Sequence, residues 1–406
     1  MTDAHGPNAV DRLTRRPLSG LRILDLSRLL PGPFASMILA DLGAAVDKVE
    51  DPSGGDYLRF MPPMVGDASK GTPMNAAFHA LNRGKRSLVL DLKKREGQEA
   101  LLRLAPRYDV LIESFRPGVM ERLGLGFDRL RAASPGLVYC AITGFGQDGP
   151  AAQRAGHDIG YIARAGVLGL TGPESGPPQV PGVQMADMAG GALFAVSGIL
   201  AALHARTTTG AGRFVDVSMC EGSMVLGAFG LMAALAGDGS HAQGAGALNG
   251  GIAPFGTYRT KDGRAMALGA LEPKFWVAFC TGVGIEPGMD ALMPGPHQET
   301  WKARLRDVFA SKTFAEWVAF AEKVDCCLEP VLMPEEVPSD PQHVAREMFV
   351  AHDASGVTLP VPRTPIASEA ATGPAPTQGR DTRAVLHDAG WSESEIDALI
   401  ATGAAR

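Results

Sequence analysis

A chain of 406 residues, 45% hydrophobic and 20% charged, with a formal net charge of -6, has the composition of a globular protein with two domains or three lobes. The acidic balance excludes a general affinity for nucleic acid or an anionic membrane surface. Cysteines at 140, 220, 280, 326 and 327, with no CxxC spacing and no neighbouring histidine pair, exclude a disulfide framework and a zinc site and point to reduced thiols in a cytoplasmic setting.

Residues 1–20 mix Arg12, Arg15 and Arg16 with Asp3 and Asp11 and lack an apolar core, so they are expected to be a flexible lead-in rather than a signal. A strand is predicted over 21–26, and Pro31-Gly32-Pro33 then opens a helix that Gly43 ends. A second strand follows over 45–49. This β-α-β unit has no GxGxxG fingerprint, which removes the motif support for dinucleotide binding. After an irregular stretch to about residue 72, strands over 87–91, 109–112 and 137–143 alternate with helices over 95–105 and 117–123. Such alternation implies right-handed crossovers and a mostly parallel α/β sheet, with ligands gathering at the carboxyl ends of its strands.

Leu193, Val196, Ile199, Leu200 and Leu203 recur at helical spacing, which predicts a core helix over 192–205. The apolar run of 191–205 is too short to span a bilayer, which needs about 20 residues. A further strand is expected over 214–219. The Gly/Ala/Ser stretch 237–251 is a candidate mobile connector. A hairpin over 256–259 and 265–268, turned at Asp262-Gly263, and helices over 273–283, 300–310 and 313–324 form a small α+β lobe. Residues 337–353 suggest a helix and linker, five prolines between 360 and 376 an extended path, and Ser392 with Glu395 a capping box on a terminal helix. The division expected is a lead-in 1–20, a large domain beginning at 21–225, a linker 226–252, a small domain 253–330, and a linker with a C-terminal return over 331–406.

Three residues could carry proton chemistry. His157, between Gly156 and Asp158 on a loop, has a side chain that titrates near neutrality; a structural histidine is the plainer alternative. Asp187 precedes a helix, where it is either an N-cap or a catalytic carboxylate beside backbone N–H groups able to hold an oxyanion, with Gly190 and Gly191 admitting a ligand near the backbone. Glu272, before Pro273, either favours a helix dipole or orients the histidine. Lys48, Lys85, Arg86 and Arg116 fall at strand ends or turns and could hold a phosphorylated ligand; solvated surface charge is the alternative for each.

The segments Leu30-Pro-Gly-Pro33, Asp41-Leu-Gly43, Gly84-Lys-Arg-Ser87, Glu113-Ser-Phe-Arg-Pro-Gly118, Glu121-Arg-Leu-Gly124, Thr143-Gly-Phe-Gly-Gln-Asp-Gly-Pro150 and Thr209-Gly-Ala-Gly-Arg213 occur in this order. Together they resemble the family III CoA-transferases, the CaiB/BaiF type, from about Leu21 to the C-terminal helix. Gly156-His157-Asp158, Asp187-Met-Ala-Gly190-Gly191 and Glu272-Pro273-Lys274-Phe275 are similar to the α-methylacyl-CoA racemase branch. Two features depart from the pattern: Gly379-Arg380-Asp381-Thr382 replaces a usual Gly-Glu-His-Thr, and Met1 to Gly20 has no counterpart. Methionines at 61, 64, 74, 185 and 188 could reshape the acyl pocket.

The resemblance implies a large Rossmann-like domain and a small α+β domain, with two such chains interlocked as a homodimer and Glu272 reaching His157 from the partner chain. It also implies epimerisation of 2-methylacyl-CoA thioesters by 1,1-proton transfer, with His157 and Asp187 as the two bases and Glu272 orienting the histidine. Lys48, Lys85, Arg86, Arg116, Arg122, Asp158, Tyr161, Gly190 and Gly191 would contact the acyl-CoA. No metal or redox cofactor is implied, coenzyme A being part of the substrate. The alternatives are a CoA-transferase with Asp187 as nucleophile and a non-catalytic acyl-CoA binding module.

Overall fold

The computed structural model describes residues 16–70, 73–237, 242–367 and 369–406. Most of the lead-in and residues 238–241 of the expected connector lie outside the described residues. Two compact units are present: one comprises the described residues up to Tyr161 with Gln184–Ser223 and Pro338–Arg406, the other Ile162–Val183 with Met224–Val337. The excursion Ile162–Val183, expected within the large domain, packs with the second unit.

In the first unit, β1 (Arg22–Asp25), α1 (Pro31–Asp41) and β2 (Ala45–Glu50) follow the punctuation of the sequence, with Pro at the first helical turn and Gly43 at φ +107° closing the turn into β2. The irregular stretch contains a small antiparallel pair, β3 (Met64–Val65) with β4 (Met74–Asn75), and then α2 (Ala76–Asn82). Next come β5 (Arg86–Val89), α3 (Arg95–Leu104), β6 (Val110–Glu113), α4 (Val119–Arg122), α5 (Phe127–Ala133) and β7 (Val138–Thr143). After the short helix α6 (Asp158–Arg164), a π-helical segment Met185–Leu193 runs without a break into α7 (Phe194–Thr209), followed by β8 (Phe214–Ser218).

Six strands form one sheet in the order β5-β2-β1-β6-β7-β8, every pair parallel. Chain order therefore reverses direction across the sheet between β1 and β6, the position where a doubly wound sheet opens a crevice at its carboxyl edge. The sheet is buried at its centre, where Leu24, Leu88, Val110, Leu111 and Val138 are fully buried. The helix from Met185 to Thr209 is 25 residues long, more than the sequence suggests and enough by length and composition to cross a bilayer. Here it packs on α1, β7 and β8 of the sheet unit.

The C-terminal return completes the first unit. The expected helix forms over Pro341–Ala345, and an antiparallel hairpin, Phe349–Ala354 with Val357–Pro362, stands where the linker and an extended proline path were expected. The Gly379-Arg-Asp-Thr382 segment caps the free edge of β5: the Asp381 carboxylate accepts from the Ser87 amide at 2.9 Å, and the Thr382 hydroxyl accepts from the Val89 amide at 3.1 Å. Buried Asp41, at the end of α1, accepts from Arg83 at 2.6 Å and from the amides of Thr364 and Ala371 at 2.9 and 2.7 Å.

The second unit is an antiparallel three-stranded sheet in the order Leu328–Pro330, Ala265–Gly269, Phe255–Arg259, covered by the helices Pro273–Val283, Gln298–Ala310 and Phe314–Ala321. The Asp262-Gly263 turn joins two of its strands as expected, with Gly263 at φ +80°. Its core is aromatic: Trp276, Phe279, Phe309 and Trp317 are fully buried, and Phe309 and Trp317 lie 4.7 Å apart between ring centroids.

Because Asp41 holds a buried guanidinium and two amides at once, Asp41→Ala leaves Arg83 charged and unpaired in the interior. It should lower the stability to urea by about 3–5 kcal/mol. A loss under ~1 kcal/mol would mean that Arg83 finds another partner.

Candidate functional site

A cavity of about 540 Å³ opens at the carboxyl edge of the sheet, where the order reverses. Its floor comes from the residues just after β1, β6 and β7, among them Arg28 and Leu29, Ser114 to Arg116, and Gly144. His157, Tyr161 and Asp187 form one wall, with Met219 beside them. Two of the three proton-chemistry residues thus border one space within the first unit.

Backbone geometry explains how they are placed. His157 is exposed immediately before α6, and its carbonyl accepts from the amides of Gly160 and Tyr161, so the ring is carried by the first turn of the helix. Tyr161 is buried and fills the space beside Gly144 and Gly156, where a Cβ would come within 2.4 and 2.6 Å of its ring. The Gly-His-Asp motif begins with glycine because the tyrosine four residues after His157 lies against it.

Asp187 lies in the first turn of the π-helical segment rather than at an N-cap, and its own amide donates to the Asp158 carboxylate at 2.9 Å. The amide of Met188 donates to the Gln184 carbonyl at 3.0 Å. The expected oxyanion donors at this helix start are therefore corrected, since both of these amides are already engaged. A π-turn widens the helix by one residue, a distortion frequent at functional sites. Here it accompanies the close crossing of helix α8 (Met219–Leu226). A Cβ on Gly190 would meet the Met219 carbonyl oxygen at 2.7 Å, and one on Gly222 would meet the Gly190 carbonyl oxygen at 2.0 Å. Gly190 and Gly191, expected to admit a ligand, instead admit α8, and Met219 reaches the cavity from that helix.

The Asp187 carboxyl is pushed up to about 6 by burial and then by the Asp158 charge, against a lowering from His157. Tyr161 is raised by burial and by Asp187, against Arg116. An acid held near neutrality in a cleft beside a histidine has the properties required of a general acid or base.

Four of the five cations expected at the ligand are held elsewhere or lie off the cavity. Lys48 is fully buried, 3.0 Å from Asp56 and 2.7 Å from the Ser27 carbonyl. Lys85 is buried too, held by Ser36 at 2.7 Å and Asp25 at 3.4 Å, and burial pushes its ammonium down to about 7. Arg86 begins β5, at the opposite edge of the sheet, and is paired with Asp47 at 2.6 Å and Asp388 at 2.7 Å. Arg122 is exposed on α4 and does not line the cavity. Of the expected cations only Arg116 faces it. Arg28 and Arg154, not among the expected cations, face it as well. Arg28 was accessible to the same rule, because it follows the carboxyl end of β1. Glu272 belongs to the second unit, exposed just before Pro273 at the start of its helix.

The sequence profile of CoA-transferase family III matches residues 18–382. This chain belongs to that family. Among its relatives, the human alpha-methylacyl-CoA racemase is 39% identical over 386 residues, 93% of this chain and 95% of the relative. The mouse succinyl-CoA:glutarate CoA-transferase is 34% identical over 403 residues, 96% of this chain and 90% of the relative. The crystal structure of a CaiB/BaiF family protein from Brucella suis superposes with a TM-score of 0.81 at 32% identity, covering 92% of this chain and all of that one. The sheet order and its crevice are thus those of a family III member, and the family contains both isomerases and transferases.

Asp187 binds its proton more tightly folded than unfolded, so its ionisation costs stability. The cost is absent below the ordinary value of 3.8, grows as the pH rises from there to about 6, and is complete above that. Asp187→Asn should therefore raise the urea midpoint at pH 7.5 but hardly at pH 4. An equal gain at both pH values would show that the carboxylate's charge is not the source. Gly222→Ala should cost about 1–3 kcal/mol by forcing α8 off the π-turn, and activity should fall with it. Unchanged stability would mean that the crossing is loose.

Proposed function

We propose that this family III member interconverts the (2R) and (2S) forms of 2-methylacyl-CoA thioesters by proton transfer through an enolate. The observation that carries the reading is that His157 and Asp187 border one cavity, with the Asp187 carboxyl raised to about 6. Inversion at a carbon next to a thioester carbonyl needs a base on one face and an acid on the other. One group removes the proton from C2, the electron pair moves into the carbonyl to give the enolate, and the other group returns a proton to the opposite face. Asp187 and His157 would exchange these roles between the two directions. Charge developing on the thioester oxygen would be met by the cavity cations Arg28, Arg116 and Arg154. From the resemblance, we assign Glu272 to orienting the His157 ring and the working form to a homodimer. The exposed apolar side chains of helix Ala228–Leu235, including Phe229 and Leu235, are consistent with a protein surface that becomes covered.

The transferase reading is favoured by the 34% identity to a succinyl-CoA:glutarate CoA-transferase over nearly the whole chain. In that reaction Asp187 would attack the thioester carbonyl, releasing CoA thiolate and leaving a mixed anhydride on the enzyme.

Incubation with one epimer of a 2-methylacyl-CoA in D2O, without an acceptor acid, should place deuterium at C2 with loss of chirality. If exchange is absent and CoA moves only once a free carboxylic acid is added, the protein is a transferase. Binding without either reaction would identify a non-catalytic module. His157→Ala and Asp187→Ala should each slow epimerisation by about 10²–10⁴-fold while acyl-CoA still binds. Wild-type turnover by the histidine variant would overturn the two-base assignment.

The pair must hold one proton between them in either direction, so kcat/KM should give the same bell-shaped pH profile for both epimers, with its acid limb near pH 6 rather than 4. Asp158→Asn should shift that limb to lower pH, because the Asp158 charge is one of the two causes of the raised value. An unshifted limb would assign it to another group.

A further inference from the structure

Leu29 lines the cavity in the left-handed backbone region, φ +62°, a conformation that a leucine rarely adopts. Its hydrogen bonds identify what holds it there. Both oxygens of Asp56 accept from the Leu29 amide at 3.2 Å, and one of them also accepts from the Leu58 amide at 3.1 Å. Asp56 and Lys48 are fully buried and paired at 3.0 Å, and the Lys48 ammonium donates to the Ser27 carbonyl at 2.7 Å. One buried ion pair therefore grips the backbone on both sides of Arg28, through the carbonyl of Ser27 and the amide of Leu29. Asp56 also caps the short 3-10 turn Tyr57–Phe60, whose Tyr57 lines the same cavity. Arg28 is the cation that benefits: it borders both this cavity and a neighbouring one of about 160 Å³ that contains Val49 and Lys93.

We infer that Asp56, with Lys48 as its counter-ion, is a positioning residue that holds the 27–29 turn in its strained form so that Arg28 is presented to the acyl-CoA. The inference rests on the cavity being the acyl-CoA site. Lys48, expected from the sequence to contact the ligand, acts on it only through the backbone.

The probe is acetyl-CoA, with affinity measured by titration calorimetry on the full chain, independently of turnover. Asp56→Asn should weaken binding by roughly tenfold or more, since the turn relaxes when the charged acceptor is lost. Adding Leu29→Gly should bring affinity back to within about threefold of wild type, because glycine enters the left-handed region without steric cost. In an Arg28→Ala background Asp56→Asn should add less than about twofold, as expected of residues acting in one chain of effects. If Asp56→Asn alone does not fold, Lys48→Met with Asp56→Asn leaves no unpaired buried charge, and the same rescue by Leu29→Gly is expected in that pair. Wild-type affinity without the Asp56 carboxylate, or a loss that Leu29→Gly does not reduce, would overturn the inference. Failure of the unaltered protein to bind acetyl-CoA would instead overturn the reading of the cavity on which it rests.

Discussion

Parallel strands end on one edge, and in this sheet the chain order turns back between β1 and β6. The helices that follow those two strands leave in opposite directions, and the space between their first turns cannot be filled by either. Every part of the candidate site follows from that gap. Arg28 and Leu29 close one side of it, Ser114 to Arg116 the other, and the segments after β7 carry His157 and, farther along, Asp187 across the top. The π-turn at Met185–Leu193 takes part in this arrangement. It lets α8 cross at Gly190 and Gly222 with backbone nearly touching backbone, and Asp187 sits in the turn that the crossing fixes.

Burial separates the charges into two populations. A buried ion must be paired and hydrogen-bonded or it gives up its charge. Lys48, Lys85, Arg83 and Arg59 meet that requirement with Asp56, Asp25, Asp41 and Glu50, so none of the four is free to hold a ligand. Arg28, Arg116 and Arg154 border the cavity instead and can meet an anion, Arg28 from a long, part-exposed contact of 4.0 Å with Asp51. Asp187 belongs to neither population. It is half-buried, and the Asp158 charge adds to the burial penalty, with His157 acting against them.

The fold was largely legible because its signals are local. Pro31-Gly32-Pro33, Gly43 and the alternation of apolar runs with short helices locate the sheet, and Asp262-Gly263 locates the hairpin of the second unit. Elements without a period of their own escaped: α6 is only seven residues long, and the Phe349–Ala354 hairpin pairs through residues whose prolines argue for an extended coil. In the site, His157 and Asp187 were recognisable from their motifs, but the roles of glycine and lysine were not. Whether Gly190 makes room for a ligand or a helix depends on what arrives 2.7 Å away, and that atom belongs to Met219, 29 positions later (219 minus 190). Likewise Lys48 and Arg28 look alike in sequence, and what decides which is structural is the full burial of Lys48 against Asp56 at 3.0 Å, where Arg28 stays part-exposed at 4.0 Å from Asp51.

The raised carboxyl of Asp187 bears on the choice between the two chemistries open to this family. A carboxylate that acts as a nucleophile needs to be ionised, and at neutral pH an ordinary value near 4 already ensures that. Raising it to about 6 still leaves it mostly ionised at neutral pH, at a stability cost that builds between pH 3.8 and about 6. For proton transfer the same shift is useful. Two epimers of equal energy must each be deprotonated at comparable rates, which asks for an acid and a base of similar proton affinity on the two faces of one carbon. Burial and the Asp158 charge bring the Asp187 carboxyl up to about 6, so it can both take and return a proton near neutrality. The raised carboxyl thus leaves both chemistries open to Asp187 and suits the proposed reversible two-base exchange.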